Sequence, residues 1–389
     1  MDQLQILFKK YAEKKIFIFP DKKNISYKEI FQRSLNLANS LIEKYKKIKG
    51  KIIFLKVLRS SDYYTAIIGL TFLETTIIPI SQKISRNELS YLRKKYKPYL
   101  EIDEIKSLLE VKKFRKKIKF KKNLLRKSKI VFFTSGTTGK PKGIVHNIFN
   151  LLKSANDFST LANYRNGSRI LHNWPHYYMA GFFNMFLCPL VSGSTIFFDE
   201  EIDINTYLNY WQKLKENKID IAYLSPTMAH ALISYSNYKK IDNKNIKTKI
   251  ISTGSFLYSS TKLKFKNIFG IDLINCYGVT EVGGSISLSN KLNQKAESIG
   301  KLSDGVKIKL SKNNEIQIKS KYQFEGYLEN YLNFKKFKNA YFNSGDLGKF
   351  EKGEFIITGR DKEIIKKGGE AVSLLKIEDI ALGCKGVKM

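Results

Sequence analysis

Residues 130–147, IVFFTSGTTGKPKGIVHN, hold the densest set of chemistry-bearing side chains in the chain. An unbroken apolar run, Ile130–Phe133, leads into Thr134, Ser135, Thr137 and Thr138. Gly136, Gly139 and Gly143 and the cations Lys140 and Lys142 are interleaved with them. Glycines let backbone N–H groups turn toward an anion, and hydroxyls and lysines add donors, so this composition suits a phosphate cradle. It is not a Walker A loop. Thr134 stands five positions before Gly139, where that motif needs Gly, and Pro141 follows Lys140 where it needs Ser or Thr. A proline there suits a loop that arches over phosphates better than one that opens a helix beneath them.

Four more segments carry candidate chemistry. Asn275–Glu281, NCYGVTE, ends an apolar strand with Gly278, a hydroxyl and a carboxylate. Gly278 allows close approach, and a hard carboxylate such as Glu281 suits Mg²⁺. Thr253-Gly254-Ser255 forms a turn after another strand pattern. Asn343–Asp346, NSGD, ends on a carboxylate. Gly359-Arg360-Asp361-Lys362 is a charged turn late in the chain. His172 and His176 are four apart, a metal-binding spacing on a helix, but Pro175 intervenes and no third ligand is evident. Cys276 reads as a small packed residue. Cys188, Cys276 and Cys384 are too few and too scattered for a disulfide framework or a four-cysteine zinc site.

The elements that must position these groups follow a βα rhythm. Ser26 with Glu29 forms a capping box that opens a helix over Tyr27–Tyr45, with Ile30, Leu37, Leu41 and Ile42 on one face. Ile52–Leu58 and Thr76–Ile80 read as buried strands around a helix at Tyr63–Leu73. From Lys129 the strand candidates are Ile130–Thr134, Arg169–Asn173, Thr195–Phe198, Ile219–Leu224, Lys249–Thr253 and Leu273–Tyr277. Helices are expected at Ile204–Asn217 and Pro226–Tyr235. This alternation argues for an α/β fold with parallel sheets. After about Ile299 short alternating strands, Val306–Leu310, Glu315–Ser320 and Glu354–Thr358, announce a small antiparallel β unit over 300–360. Met179–Phe198 carries no charge over 20 residues, yet Asn184, Pro189 and Ser192-Gly193-Ser194 favour a buried helix, a turn and a strand over a membrane span.

Composition excludes some alternatives. The chain has 389 residues, 69 Lys plus Arg against 35 Asp plus Glu, and a net charge of +34. Only 9 of the basic residues are Arg, whereas Arg dominates specific base and phosphate recognition, so the charge does not by itself indicate a specific nucleic-acid partner. Lys112–Lys122 has eight basic residues in eleven and reads as a solvated linker or helix face. The N-terminal MDQLQILFKKYAEKK lacks the pattern of a secretory signal, so a cytoplasmic location is expected.

Thr134–Gly143, TSGTTGKPKG, resembles the signature loop of the AMP-forming adenylating enzymes, which include acyl-CoA synthetases. The other segments follow in that family's order, with Ser26–Leu55, Leu70–Leu89 and Glu315–Leu328 as weaker matches, so the resemblance runs from about Ser26 to the end. It implies that Mg·ATP and a carboxylic acid give an acyl-adenylate, which a thiol, usually coenzyme A, then takes up. It implies that Thr134, Ser135, Gly136, Thr137, Thr138, Gly139 and Lys140 hold the ATP phosphates, with Lys142 catalytic. Gly254, Ser255, Asn275, Tyr277 and Gly278 would line the adenine, Thr280 would meet the AMP phosphate, and Glu281 would hold Mg²⁺. Asp346 would grip the ribose, Arg360 would contact ribose or phosphate, and Lys362 would be a hinge. His176 would lie near the reacting carboxylate and the thiol tunnel. Tyr178, Met179, Tyr223, Thr227 and Met228 are candidate acyl-pocket walls.

The family's amino-acid-activating members place an Asp near the start of that pocket. His176–Met185 has no acid, so an aryl or aliphatic acid is expected. The resemblance divides the chain into an AMP-binding large domain, 1–360, and the start of an α+β C-terminal lid domain, 361–389. Only Lys362–Met389 lies beyond the hinge, and neither Lys385 nor Lys388 sits in the motif of the family's bridging lysine. The expectation is therefore a truncated lid, with a non-catalytic nucleotide- or acyl-binding remnant as the alternative to a full ligase.

Overall fold

The computed structural model describes residues 3–109, 118, 124–134, 142–201, 204–236, 246–289, 295–338, 340–367 and 370–384. Two large sheets and one small one organise them. The seven-stranded sheet runs, in spatial order, Phe334–Lys336, Gly326–Leu328, Lys142–Asn147, Lys129–Thr134, Thr76–Pro79, Ile52–Leu55, Leu100–Ile102. The nine-stranded sheet runs Lys301–Leu302, Gly284–Leu288, Leu273–Val279, Lys249–Ser252, Ile221–Leu224, Arg169–His172, Thr195–Phe198, Lys15–Ile18, Asn24–Ser26. The expected parallel core is present in both. Ile52–Leu55, Thr76–Pro79 and Lys129–Thr134 pair in parallel, as do Ile221–Leu224, Lys249–Ser252 and Leu273–Val279. The seven-stranded sheet also carries antiparallel strands at one end and the nine-stranded sheet at both, which the βα rhythm alone does not announce.

Helices lie between the two sheets and outside each. One continuous apolar cluster joins Ile53, Ile77 and Ile130 of the seven-stranded sheet to Ile170, Tyr223 and Ile251 of the nine-stranded sheet. The helices Tyr27–Lys44, Ser61–Phe72 and Ile148–Ala162 contribute to it. Apolar surface removed from water is worth about 25 cal/mol per Å², so this shared middle layer binds the sheets into one body. The first helix starts where the capping box places it: Ser26 Oγ accepts from Glu29 N at 3.1 Å, and Ser26 N donates to Glu29 Oε2 at 2.7 Å. A second cluster backs the nine-stranded sheet with Tyr210–Glu216, Pro226–Ser236 and Ser259–Phe269. A third backs the seven-stranded sheet with Arg86–Tyr96.

Several boundaries differ from expectation. The strand at Ile52 ends at Leu55, because Ser60 caps a helix that opens at Ser61. The single helix expected over Ile204–Asn217 is two pieces, Ile204–Tyr207 and Tyr210–Glu216. The late antiparallel unit has four strands, Val306–Leu310, Glu315–Ser320, Phe342–Glu351 and Glu354–Arg360. Within 300–360, Gly326–Leu328 and Phe334–Lys336 do not join it. They extend the seven-stranded sheet as a hairpin paired to Lys142–Asn147. Met179–Phe198 is a buried helical run with a π-helical stretch, Phe183–Leu187, then a turn and the strand Thr195–Phe198. Gly193 makes that turn at φ +73°, and the Tyr11 ring fills the space a Cβ would need. No helix among the described residues is long and apolar enough to cross a membrane. The basic run Lys112–Lys122 lies outside the described residues apart from Ile118, whose N–H donates to Asn39.

Candidate functional site

The phosphate-cradle segment joins Lys129–Thr134 to Lys142–Asn147. These strands pair antiparallel from Lys129↔Asn147 to Thr134↔Lys142. Thr134 and Lys142 therefore face each other as the last described pair of this ladder; the arching loop expected from Pro141 lies outside the described residues. Ser135, Gly136, Thr137, Thr138, Gly139 and Lys140 lie outside the described residues. Gly143 is pressed against the neighbouring strand, where a Cβ would sit 3.1 Å from Leu328 O and from Val131 Cγ1.

The strand Leu273–Val279 ends in a short 3₁₀ turn, Thr280–Val282, and returns antiparallel as Gly284–Leu288. Gly278 is where this hairpin closes most tightly: a Cβ there would lie 2.6 Å from Gly284 O and 2.8 Å from Ser285 Cα. The close approach that Gly278 permits is thus to its own hairpin partner. Gly283 and Gly284, at φ +100° and +101°, complete the turn in a region of backbone space that side chains disfavour.

Tyr277 meets the small sheet. Its hydroxyl donates to Asp346 Oδ2 at 2.6 Å, and Arg360 Nε donates to Asp346 Oδ1 at 3.0 Å. Asp346 and Arg360 are direct partners across their two strands. A hairpin pair and a tyrosine 69 positions away are therefore held at one point, with the Asp346 carboxylate buried and accepting from both sides. Burial, and then the Asp346 charge, push the Tyr277 hydroxyl well above its ordinary pKa, so Tyr277 stays a donor. Asn275, placed on the adenine side by the resemblance, spends its amide on Ala296 O and Ser298 O at 2.9 and 3.0 Å. Gly254 turns at φ +94° with the Trp174 ring 3.4 Å from the place of its Cβ, and Ser255 is exposed beside it.

Glu281 is half-buried, without an ion pair among the described residues. Burial raises its carboxyl pKa against the opposing pull of its own N–H, the Tyr327 hydroxyl and the Lys142 charge. Tyr327 OH donates to Glu281 Oε1 at 3.3 Å. A desolvated carboxylate with a single side-chain donor is the chemistry a hard cation would relieve, so these residues fit Mg²⁺. No group of three His, Cys, Asp or Glu side chains is assembled among the described residues, so remaining ligands would come from a nucleotide and water.

Around the interior strands Ile221–Leu224 and Arg169–His172 of the nine-stranded sheet the groups are mostly packed. His176 is buried; its Nε2 reaches Val57 O at 3.2 Å and its ring meets Tyr63 edge-on at 4.2 Å. Burial, then the Arg59 charge, bring its pKa down to about 4. His172 is held by Tyr64 OH. Tyr223 is fully buried and shares its hydroxyl with Tyr164 at 2.7 Å. Met179 is buried, Tyr178 is half exposed, Thr227 is exposed, and the Met228 sulfur accepts from Ser225 N at 3.4 Å. Lys362 is exposed in the turn Asp361–Glu363. Beyond it, the helix Leu374–Gly383 docks on the large body through Tyr258–Glu378 and through Asp379, which accepts from Ser260 N at 3.1 Å and Oγ at 2.6 Å.

Sequence reasoning missed three groups. His146 Nε2 lies 2.7 Å from Thr280 O, Phe324 N donates to Glu281 O at 2.7 Å, and Tyr327 reaches the Glu281 carboxylate. The alternation of the strand Lys142–Asn147 places His146 on the same face as Ile144, which is readable from sequence. Its target on a distant turn is not.

A family model described as AMP-binding enzyme matches residues 5–328. Similar curated proteins include a probable CoA ligase of Humulus lupulus, 28% identical over 283 residues, covering 65% of this chain and 46% of that protein. A malonate–CoA ligase of Arabidopsis thaliana is 27% identical over 282 residues, covering 65% and 46%. The chain spans about half the length of the curated relatives it matches. Among solved structures, the anthranilate CoA ligase AuaEII in complex with anthranoyl-AMP has a TM-score of 0.84 at 18% identity, over 99% of this chain and 82% of that one. ATP-bound MatB from Rhodopseudomonas palustris has a TM-score of 0.83 at 18% identity, over 99% and 83%. These neighbours share the fold.

Proposed function

Because the chain belongs to the AMP-binding enzyme family, we propose that it activates a carboxylic acid with Mg·ATP and passes the acyl group to a thiol, coenzyme A being the first candidate. The observation that carries this reading is the convergence of Tyr277, Asp346 and Arg360 beside the turn that presents Thr280 and Glu281. A buried carboxylate flanked by a tyrosine and an arginine suits a ribose diol. The adjacent hydroxyl and desolvated carboxylate suit an α-phosphate and its cation. Gly254 and Ser255 are proposed to border the adenine together with Tyr277 and Gly278 on the neighbouring parallel strand, while Asn275 ties that strand to Ala296 and Ser298.

In the first step a carboxylate oxygen bonds to the α-phosphorus and the bond to pyrophosphate breaks. In the second a thiol sulfur bonds to the acyl carbon, AMP leaves and the thiol proton is released. Mg²⁺, when bound, supplies charge neutralisation on the phosphates. The chain's own contribution is positioning and a preorganised field, which commonly supply most of the acceleration in such reactions. Thr134, Ser135, Gly136, Thr137, Thr138, Gly139 and Lys140 are proposed to surround the phosphates, with Lys142 at the hairpin mouth. His176 Nε2 must carry its proton to bond Val57 O, which leaves Nδ1 as a lone pair without a partner among the described residues.

The absence of any acid in His176–Met185 supports an aryl or aliphatic acid over an amino acid. CoA ligases acting on malonate and indoleacetate among the relatives support the same class. Tyr178, Met179, Tyr223, Thr227 and Met228 remain the proposed surroundings of the acyl group, and Lys362 the proposed hinge. ATP–pyrophosphate exchange over a panel of aryl, aliphatic and amino acids tests the reading. Exchange with at least one aryl or aliphatic acid is expected; nucleotide binding with no acid-dependent exchange would favour a binding module.

A further inference from the structure

The turn that presents Thr280 and Glu281 belongs to the nine-stranded sheet, yet the groups that hold it come from strands and a loop of the other sheet. His146 lies on Lys142–Asn147, whose first residue is the far end of the phosphate-cradle segment. Tyr327 lies on Gly326–Leu328, paired antiparallel to that strand with Tyr327 opposite Ile144. Side chains two apart on a strand share a face, so Ile144, His146 and Tyr327 line one face of the seven-stranded sheet. His146 Nε2 reaches the carbonyl of Thr280 at 2.7 Å. Tyr327 OH reaches Glu281 Oε1 at 3.3 Å, and Phe324 N, just before the Tyr327 strand, reaches the carbonyl of Glu281 at 2.7 Å. The Phe324 ring packs edge-on against Tyr327, 4.9 Å between centroids. Two consecutive backbone carbonyls and the carboxylate between them are thereby fixed from one side.

We propose that His146 and Tyr327 are positioning residues that set the Glu281 carboxylate for the metal ion of a metal–nucleotide substrate, tying the hairpin that carries the phosphate-cradle segment to the turn that carries Glu281. A carbonyl oxygen accepts, so His146 must carry its proton on Nε2, and Nδ1 is left without a partner among the described residues. The imidazole therefore has one task here, donation to Thr280 O. Its ring is fully buried, and the bond spans 134 positions of sequence. Tyr327 selects one carboxylate oxygen of Glu281 and holds the side chain in a single orientation. Metal affinity depends on such outer partners of a ligating carboxylate, typically by 10- to 100-fold. The two contacts tie the turn that carries Glu281 to the strands Lys142–Asn147 and Gly326–Leu328 of the other sheet.

This inference rests on the proposed nucleotide reading, and its test separates the two. The full chain is loaded with ATP and titrated with Mn²⁺, the unbound ion being followed by its electron paramagnetic resonance signal. AMP binding in EDTA and the thermal midpoint are measured alongside. His146→Phe removes the donor and keeps a ring of similar size; His146→Gln restores an N–H; Tyr327→Phe removes only the hydroxyl. His146→Phe and Tyr327→Phe are each expected to weaken Mn²⁺ binding about tenfold, with AMP affinity within about twofold, and His146→Gln to recover most of the loss. Tyr327→Phe carries the test by itself should His146→Phe not fold. Mn²⁺ affinity unchanged in Tyr327→Phe and in any folded His146→Phe would overturn the inference, as would a loss that tracks AMP affinity and thermal midpoint alone. If the unsubstituted chain binds neither ATP nor Mn²⁺ with ATP, the nucleotide reading itself fails.

Discussion

The proposed nucleotide side, where the strand Leu273–Val279 meets the small sheet, and the proposed acid-side wall beyond Arg169–His172 are built on opposite plans. At the first, Tyr277, Asp346 and Arg360 bond to one another through side chains, and Arg360 remains largely exposed. At the second, His172, His176 and Tyr223 are sealed in an aromatic layer and bond to backbone carbonyls or to neighbouring hydroxyls. Groups of the first kind can exchange partners with a ligand at small cost to the fold. Groups of the second kind cannot be altered without altering packing. The difference teaches where function can be separated from stability: substitution at the edge should act on ligand binding, and substitution in the wall should act first on folding.

The largest effect expected is that of Asp346→Ala. It removes the proposed acceptor of two ribose hydroxyls, charge-assisted hydrogen bonds worth roughly 1.5–3 kcal/mol each, and should weaken ATP binding about a hundredfold or more in titration calorimetry. Wild-type affinity in this variant would remove the edge from the site. The next effect lies in the wall. His176 is held at a pKa of about 4 in the native state, below the ordinary histidine value of 6.5, chiefly by burial. Between those values the unfolded chain takes up a proton that the native chain refuses. Stability therefore falls as pH drops from about 6.5 toward 4, by about 1.4 kcal/mol per pH unit for this residue. His146, also brought to about 4 by burial, and His172, driven lower still, add to the same slope. Denaturant unfolding at pH 7 and pH 5 should show a shallower loss in His176→Phe than in the parent chain; parallel losses would contradict the burial assigned to it.

Lys142→Ala should have the smaller effect on ATP binding, a few-fold rather than a hundredfold. Lys142 is exposed at the hairpin mouth and its charge is screened by solvent. A larger loss than that of Asp346→Ala would mean that phosphate contacts dominate ribose contacts. Tyr223→Phe is the mildest change: it deletes one hydroxyl from the Tyr164 pair and should cost about 1 kcal/mol of stability with no change in ATP affinity.

What the sequence discloses and what it withholds divide along the same physical line. Local signals are legible: the capping box at Ser26 and Glu29 and the buried strands act within a few residues. The motif resemblance brings Asp346, Tyr277, Arg360 and Glu281 to notice, but their mutual contacts depend on how the small sheet docks on the strand end, which no local pattern encodes. The strand Phe342–Glu351 is hidden in the sequence because Asn343-Ser344-Gly345 reads as a turn; Gly345 takes φ +79° within the strand and lets it continue. His146 and Tyr327 are invisible for the same reason as the docking. Each looks like an ordinary strand residue until the opposite sheet supplies its partner.

Calorimetric titration of Mg·ATP into the unsubstituted chain, Asp346→Ala and Tyr223→Phe under one set of conditions tests the central claim most directly, that nucleotide binding resides in the Tyr277–Asp346–Arg360 edge and is separable from the buried wall. The account predicts binding by the unsubstituted chain and by Tyr223→Phe with matching affinity, and a loss of about a hundredfold in Asp346→Ala. Equal binding by all three, or none by the unsubstituted chain at millimolar ATP, would contradict it.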